Sequence, residues 1–151
     1  MHSGTLILRI DSQLDHVFLV GVAVRGVCAA ARLDDEQANA IELCVVEAVN
    51  NAIEHAYSGE PGHPVEIAVE MAGGAMQVEV RDRGSAMDWA AACARADGYA
   101  ADRLAEGGRG VFIMRSLMDR LTYRSADGWN VLTLIKQLPE AVPAPEMPRP
   151  S

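Results

Sequence analysis

Glu47-Ala48-Val49-Asn50-Asn51-Ala52-Ile53-Glu54-His55-Ala56-Tyr57 is the stretch on which the reading of this chain turns. It closes a run, Ile41, Leu43, Cys44, Val45, Ala48, Val49, Ala52 and Ile53, whose apolar residues recur at helical spacing. Glu47, Asn50, Asn51, Glu54 and His55 follow at intervals of three and four residues, which puts them on one face of that helix. A solvated stripe is the plain explanation of such a face. Against it, the same face carries Cys44, Leu43 and Ala40 a turn earlier, so the polar patch starts abruptly inside an apolar helix. A carboxylate and a carboxamide one turn apart suit a proton acceptor and a ligand for Mg2+, an ion that prefers oxygen donors and takes few of them from protein.

Working outward, Asp34-Asp35-Glu36-Gln37 is a start signal for this helix, which the spacing carries to about Tyr57. Upstream, Leu14, Val17, Phe18, Gly21, Val24, Val27, Cys28 and Ala31 predict another helix, opened by a capping box from Ser12 to Asp15. Thr5 to Ile10 reads as a first strand. Downstream, Ser58-Gly59-Glu60-Pro61-Gly62 breaks the helix. Val65, Ile67, Val69 and Met71 alternate with polar neighbours, Gly73-Gly74 is a hairpin signal, and Met76, Val78 and Val80 alternate on the return strand. Residues 85–106 are alanine-rich with weak periodicity and read as a loop. A helix is expected from Val111 to Leu121, then strands over Thr122–Ser125 and Asn130–Leu138 around Asp127-Gly128. Strands grouped in hairpins predict an α/β (α+β) two-layer sandwich: a mixed, mostly antiparallel sheet covered on one face by helices.

The chain of 151 residues fits one domain, residues 1–138, followed by a tail, 139–151, that holds five of the seven prolines and is expected to be disordered. A net charge of −8 opposes binding to nucleic acid or an anionic membrane, both of which reward basic patches. Proteins and small ligands are the expected partners. Cys28, Cys44 and Cys93 form no CxxC pair and read as reduced thiols in a cytoplasmic protein. Met1 to Ile10 does not have the pattern of a signal peptide, and no apolar run is long enough to span a membrane.

Two further clusters carry chemistry. Asp82 in Asp82-Arg83-Gly84 has the strand parity of Val78 and Val80, so its carboxylate points to the apolar face and needs a partner there. A ligand N–H, such as the exocyclic amine of adenine, would serve, with Gly84 allowing close approach of the backbone. Gly107-Gly108-Arg109-Gly110 runs straight into a helix, and unpaired N–H groups at that point favour phosphate. No Lys-Ser/Thr pair follows, so this is not a Walker A loop.

In their order and spacing, Glu47-x-x-x-Asn51, Asp82-x-Gly84 and Gly108-x-Gly110 resemble the GHKL (Bergerat-fold) ATPase and kinase superfamily, which includes histidine-kinase catalytic domains, DNA gyrase B and MutL. The segments 47–57 and 108–119 are more closely similar to the anti-sigma-factor serine kinases of the RsbW/SpoIIAB type. The resemblance implies an ATP- and Mg2+-dependent serine/threonine protein kinase. It implies Glu47 as the catalytic base, Asn51 as the Mg2+ ligand, and nucleotide contacts from Asn50, Asn51, His55, Asp82, Gly84, Gly107, Gly108, Arg109, Gly110 and Val111, under a lid at about 85–107. It further implies a STAS-domain anti-anti-sigma protein as substrate, a sigma factor or equivalent regulator as second partner, and a homodimer. Some members carry an Arg before the second glycine segment where this chain has Glu106, which makes Arg109 or Arg103 the expected substitute. A Thr pair late in the family pattern is replaced by Trp129-Asn130, so Asn130 or Thr133 is expected to support Asp82. The alternatives are a non-catalytic, ATP-dependent module that binds a regulator, a stand-alone histidine-kinase-like ATPase domain, and a mechanical ATPase.

Overall fold

The computed structural model describes residues 4–139 together with Pro148 and Pro150. The expected disorder of the tail therefore concerns residues that lie, apart from Pro139, Pro148 and Pro150, outside the described ones.

Among the described residues, five strands form one sheet: β1 (Gly4–Asp11), β2 (Pro64–Ala72), β3 (Ala75–Asp82), β4 (Arg120–Ala126) and β5 (Trp129–Gln137). Their order is β1-β2-β3-β5-β4, and every pairing is antiparallel, so the expected parallel component is absent among these strands. Two tight hairpins, closing at Ala72↔Ala75 and Ala126↔Trp129, supply most of that pattern, because a two-residue turn can join only antiparallel neighbours.

The sheet has two unlike faces. Val65, Ile67 and Val69 of β2, Met76, Val78 and Val80 of β3, and Leu132 and Leu134 of β5 are buried under the helices. On the other face Arg81 pairs with Glu66 and Glu79, and Arg124 reaches Glu79. The buried side chains each contribute about 1.5–3 kcal/mol of transfer free energy, which outweighs the ~0–1 kcal/mol expected of exposed ion pairs. The apolar face thus decides how the layers stack.

Four helices sit on that face: α1 (Val17–Ala30), α2 (Asp35–Asn51), α3 (Trp89–Ala101) and α4 (Arg109–Leu117). The capping box at the start of α2 is present: Asp34 accepts from the Gln37 N–H at 2.8 Å, and the Gln37 side chain accepts from the Asp34 N–H at 3.3 Å. The one expected at Ser12 is not. A 3-10 turn (Leu14–His16) precedes α1, and Ser12 is buried, with its hydroxyl donating to the Glu60 carbonyl at 2.5 Å and accepting from the His63 N–H at 3.1 Å. Ser12 joins the end of β1 to the loop before β2, a long-range use of the side chain that local spacing cannot show.

Two other boundaries differ from expectation. The helix expected to reach Leu121 stops at Leu117, because Arg120 and Leu121 are taken up opposite Ile135 and Leu134 of β5. The alanine-rich segment read as a loop contains α3. Asp88 caps it by accepting from the Ala91 N–H at 3.0 Å, and alanine is the best helix former. Its periodicity was weak because alanine occupies both the buried positions, Ala92 and Ala96, and the exposed ones.

Candidate nucleotide site

α2 does not simply end. After Asn51 the chain widens into a π-helical turn, Ala52–Ala56, in which the Tyr57 N–H donates five residues back to the Ala52 carbonyl at 3.2 Å. Single π turns of this kind frequently mark functional sites. Here the wide turn leaves the Ala56 carbonyl to accept from the Ser85 N–H at 2.9 Å. A Cβ on Gly84 would lie 2.2 Å from the same oxygen. Gly84 thus lets the helix end and the strand end close on each other. Tyr57 tightens the joint, its hydroxyl donating to the Pro64 carbonyl at 2.6 Å and accepting from the Arg83 N–H at 2.7 Å. Burial pushes the Tyr57 phenol above its usual pKa, so it stays protonated.

Asp82 and Asn130 face each other across β3 and β5. Both are buried. Asp82 Oδ1 accepts from Asn130 Nδ2 at 2.7 Å and from the Gly84 N–H at 2.9 Å, and Asn130 Nδ2 donates also to the Gly84 carbonyl at 2.9 Å. Ser125 donates to Asn130 Oδ1 at 2.7 Å, which fixes the orientation of the amide. Asp82 Oδ2 takes no donor from the described residues and is left for the cavity that Asp82 lines. Burial raises the Asp82 pKa above 3.8, while the Asn130 and Gly84 hydrogen bonds pull it back in part.

The glycine turn lines the same cavity. Gly108 caps α4 with φ of +82°, and a Cβ there would lie 2.1 Å from the Arg95 carbonyl oxygen. α3 is therefore seated directly on the turn. A Cβ on Gly110 would lie 3.1 Å from Glu47 Oε2 and 3.4 Å from Asn51 Nδ2. The carboxylate and carboxamide of α2 thus meet the first turn of α4. α3 is held to α4 by Arg115, which bonds Asp97 at 2.8 Å and the Cys93 carbonyl at 3.3 Å.

This cavity measures about 450 Å³, well within the range of small-ligand sites. Asn51, His55, Asp82, Gly107, Gly108, Arg109, Gly110 and Val111 line it. Glu47 stands beside it at Gly110. Asn50 is half-buried and does not line it, and Gly84 serves the joint with Ala56 rather than the cavity wall. Arg103, expected near phosphate, instead lies over the Phe112 ring at 4.2 Å and the Tyr99 ring at 5.1 Å. The sequence reading missed Met87, Ala92 and Arg95 on the lid and Tyr123 on β4, all of which line the cavity. The cap at Asp88 was the available signal for the lid residues. None existed for Tyr123, whose hydroxyl accepts from the Met87 N–H at 2.8 Å.

The cavity wall offers an acceptor at Asp82, apolar surface from Ala48, Val80 and Leu132, and the start of α4 with Arg95 and Arg109. That suits a flat base joined to an anionic chain. Among the described residues no group of three or more His, Cys, Asp and Glu could hold a metal alone. Asn51 with Glu47 nearby fits Mg2+ that arrives on phosphate, since this ion keeps much of its shell as water and phosphate oxygen.

Comparison with known proteins bears on the family and the fold. Residues 10–136 match the family model described as histidine kinase-like ATPase domain. The chain is 34% identical over 96 residues to the serine/threonine-protein kinase BtrW of Bordetella bronchiseptica, covering 62% of this chain and 66% of that protein. It is 28% identical over 130 residues to the serine-protein kinase RsbW of Bacillus pumilus, covering 82% of this chain and 80% of that one. Among solved structures, the RsbU and RsbW domains of Rv1364c from Mycobacterium tuberculosis superpose with a TM-score of 0.65 at 21% identity, over 89% of this chain and 32% of that one. The SiaB–SiaC complex from Pseudomonas aeruginosa gives 0.55 at 14% identity, over 85% and 88%. The likeness to these two structures is one of fold. The chain belongs to the histidine kinase-like ATPase domain family.

Proposed function

We propose that this protein binds Mg-ATP and transfers its terminal phosphoryl group to a serine of a partner protein, as an anti-sigma-factor-type kinase in a partner-switching pathway. The observation that carries the reading is the convergence at Gly110, where Glu47 Oε2 and the Asn51 amide lie 3.1 Å and 3.4 Å from the position of a Cβ, beside the cavity that Asp82 and Gly110 both line. The relatives named as serine-protein kinases support it.

In this reading Asp82 Oδ2 accepts the adenine amine, and the N–H groups of the glycine turn hold the phosphates. Glu47 accepts the proton of the serine hydroxyl as that oxygen forms its bond to the γ-phosphorus and the bond to the ADP oxygen breaks. Asn51 would hold Mg2+, which when bound offsets phosphate charge. The substrate is a STAS-domain anti-anti-sigma protein and the second partner a sigma factor or equivalent regulator, consistent with the resemblance to RsbW-type kinases. The apolar stripe on α1 supports a homodimer.

The test is incubation with labelled ATP, Mg2+ and candidate STAS-domain proteins, read by mass spectrometry for phosphoserine. Glu47→Gln is expected to retain Mg-ATP binding and lose transfer. Unchanged transfer by that variant removes Glu47 as the base. ATP binding with no transfer to any such protein leaves the non-catalytic module as the reading.

A further inference from the structure

Five arginines, Arg83, Arg95, Arg103, Arg109 and Arg115, lie on or beside the lid, and three are engaged elsewhere. Arg83 lies over the Trp129 ring at 4.3 Å, Arg103 over Phe112, and Arg115 is bonded to Asp97. Arg95 has no ion pair or side-chain hydrogen bond among the described residues, and it lines the cavity. Its Cδ lies 3.6 Å from where a Cβ on Gly107 would stand. Its own carbonyl is the atom seated against Gly108. The start of the Arg95 side chain is therefore placed by the glycine turn, and α3 cannot stay docked while Arg95 moves away from that turn.

We infer that Arg95 is the lid's phosphate-binding cation, contacting the terminal phosphates from the side of the cavity opposite α2. The inference rests on the proposed nucleotide site and adds to it a residue and a coupling. Glu106, just before the glycines, cannot offset phosphate charge, and Arg103 is turned outward. Arg109 approaches only from α4. A chain of net charge −8 needs a local cation to accept a triphosphate, and a guanidinium suits phosphate through paired N–H donors. Because Arg95 stands on α3, its bond to phosphate also holds the lid down, so closure depends on how many phosphates the nucleotide carries.

Calorimetry on the full chain, with Arg95→Ala, Arg95→Lys and Arg109→Ala, would measure Mg-ATP, Mg-ADP and adenosine. Arg95→Ala is expected to weaken Mg-ATP by about tenfold or more, as for the loss of a charge-assisted hydrogen bond, and to lower the ATP-over-ADP preference. Adenosine binding stays unchanged and Arg95→Lys falls between. Arg95 is exposed, so the thermal midpoint without nucleotide should not move. Hydrogen exchange in Trp89–Ala101 should slow with Mg-ATP in the wild type and less so in Arg95→Ala. Wild-type ATP affinity and preference in Arg95→Ala, with both lost in Arg109→Ala, overturns the assignment while leaving the nucleotide site standing. A wild-type chain that binds none of the three ligands overturns both.

Discussion

Asp82 holds two roles in tension. Its carboxylate is buried on the apolar side of the sheet, which raises its pKa above 3.8, yet the proposed reading of adenine needs it ionised. A carboxyl group with a raised folded-state pKa adds most stability below its unfolded value. That contribution is lost as pH rises through the raised value. Asp82→Asn should therefore raise the thermal midpoint of the free protein at neutral pH, since an amide keeps the Oδ1 bonds from Asn130 and Gly84 without the buried charge. The same change turns the open atom from acceptor to donor. ATP affinity should fall about 10- to 100-fold relative to GTP, the scale of a lost hydrogen bond to a charged group. Calorimetry with both nucleotides checks this, and equal ATP affinity in wild type and variant refutes it. In the wild type, ATP affinity should weaken as pH falls through the raised Asp82 value, a dependence absent from Asp82→Asn. The inward aim of Asp82 was legible from strand alternation. Its partner was narrowed only to Asn130 or Thr133, because the pairing depends on the register of β3 with β5.

At the scale of elements, the site depends on how α3 meets the turn before α4. Gly108 needs glycine twice over, for φ of +82° and for the 2.1 Å approach to the Arg95 carbonyl. Gly108→Ala should cost about 1–3 kcal/mol of local strain and free α3 from the turn. Loss of amide protection confined to Trp89–Ala101 would show it, and protection equal to wild type would count against it. Gly98 is the contrast. It lies inside α3, and a Cβ there meets nothing within 4 Å. Gly98→Ala should stabilise the lid helix by about 0.5–1 kcal/mol. An unchanged or lower thermal midpoint would argue that α3 is not helical in solution. Met114 of α4 is fully buried in the core, and Met114→Ala should cost about 2–5 kcal/mol in denaturant unfolding.

On the scale of the whole molecule, burial is uneven. Cys28 and Cys44 lie in the core, and burial raises both thiols, Cys44 to about 12. α1 and the 3-10 turn before it, by contrast, leave Leu14, Phe18 and Val22 exposed along one stripe, Phe18 by 64%. On edge strand β1, Ile7 is also exposed by 58%. A stripe of this kind marks an interaction surface more often than a solvated one. If it joins two copies of the chain, Phe18→Asp should give a monomer by light scattering and leave Mg-ATP affinity unchanged, since Phe18 does not line the cavity. A wild type that is monomeric at high concentration would assign the stripe to another partner.

By itself the sequence determined the periodic elements and the residue types of the site. Alternation specified β2 and β3, the Asp34–Gln37 box set the start of α2, and the Glu47, Asn51, Asp82 and Gly108-x-Gly110 pattern marked the chemistry. All of these are local signals, written in spacing of a few residues. Tertiary structure decided the rest: the stop of α4 at Leu117, the π turn after Asn51, the use of Ser12 as a tie, and the place of Arg95 on the cavity wall. Each depends on a partner far away in the chain. Strand pairing claimed Arg120, the Ser85 N–H claimed the Ala56 carbonyl, and the close approach of Gly108 fixed α3. Such contacts are set by which surfaces meet when the core closes, and that is a property of the folded chain rather than of any window within it.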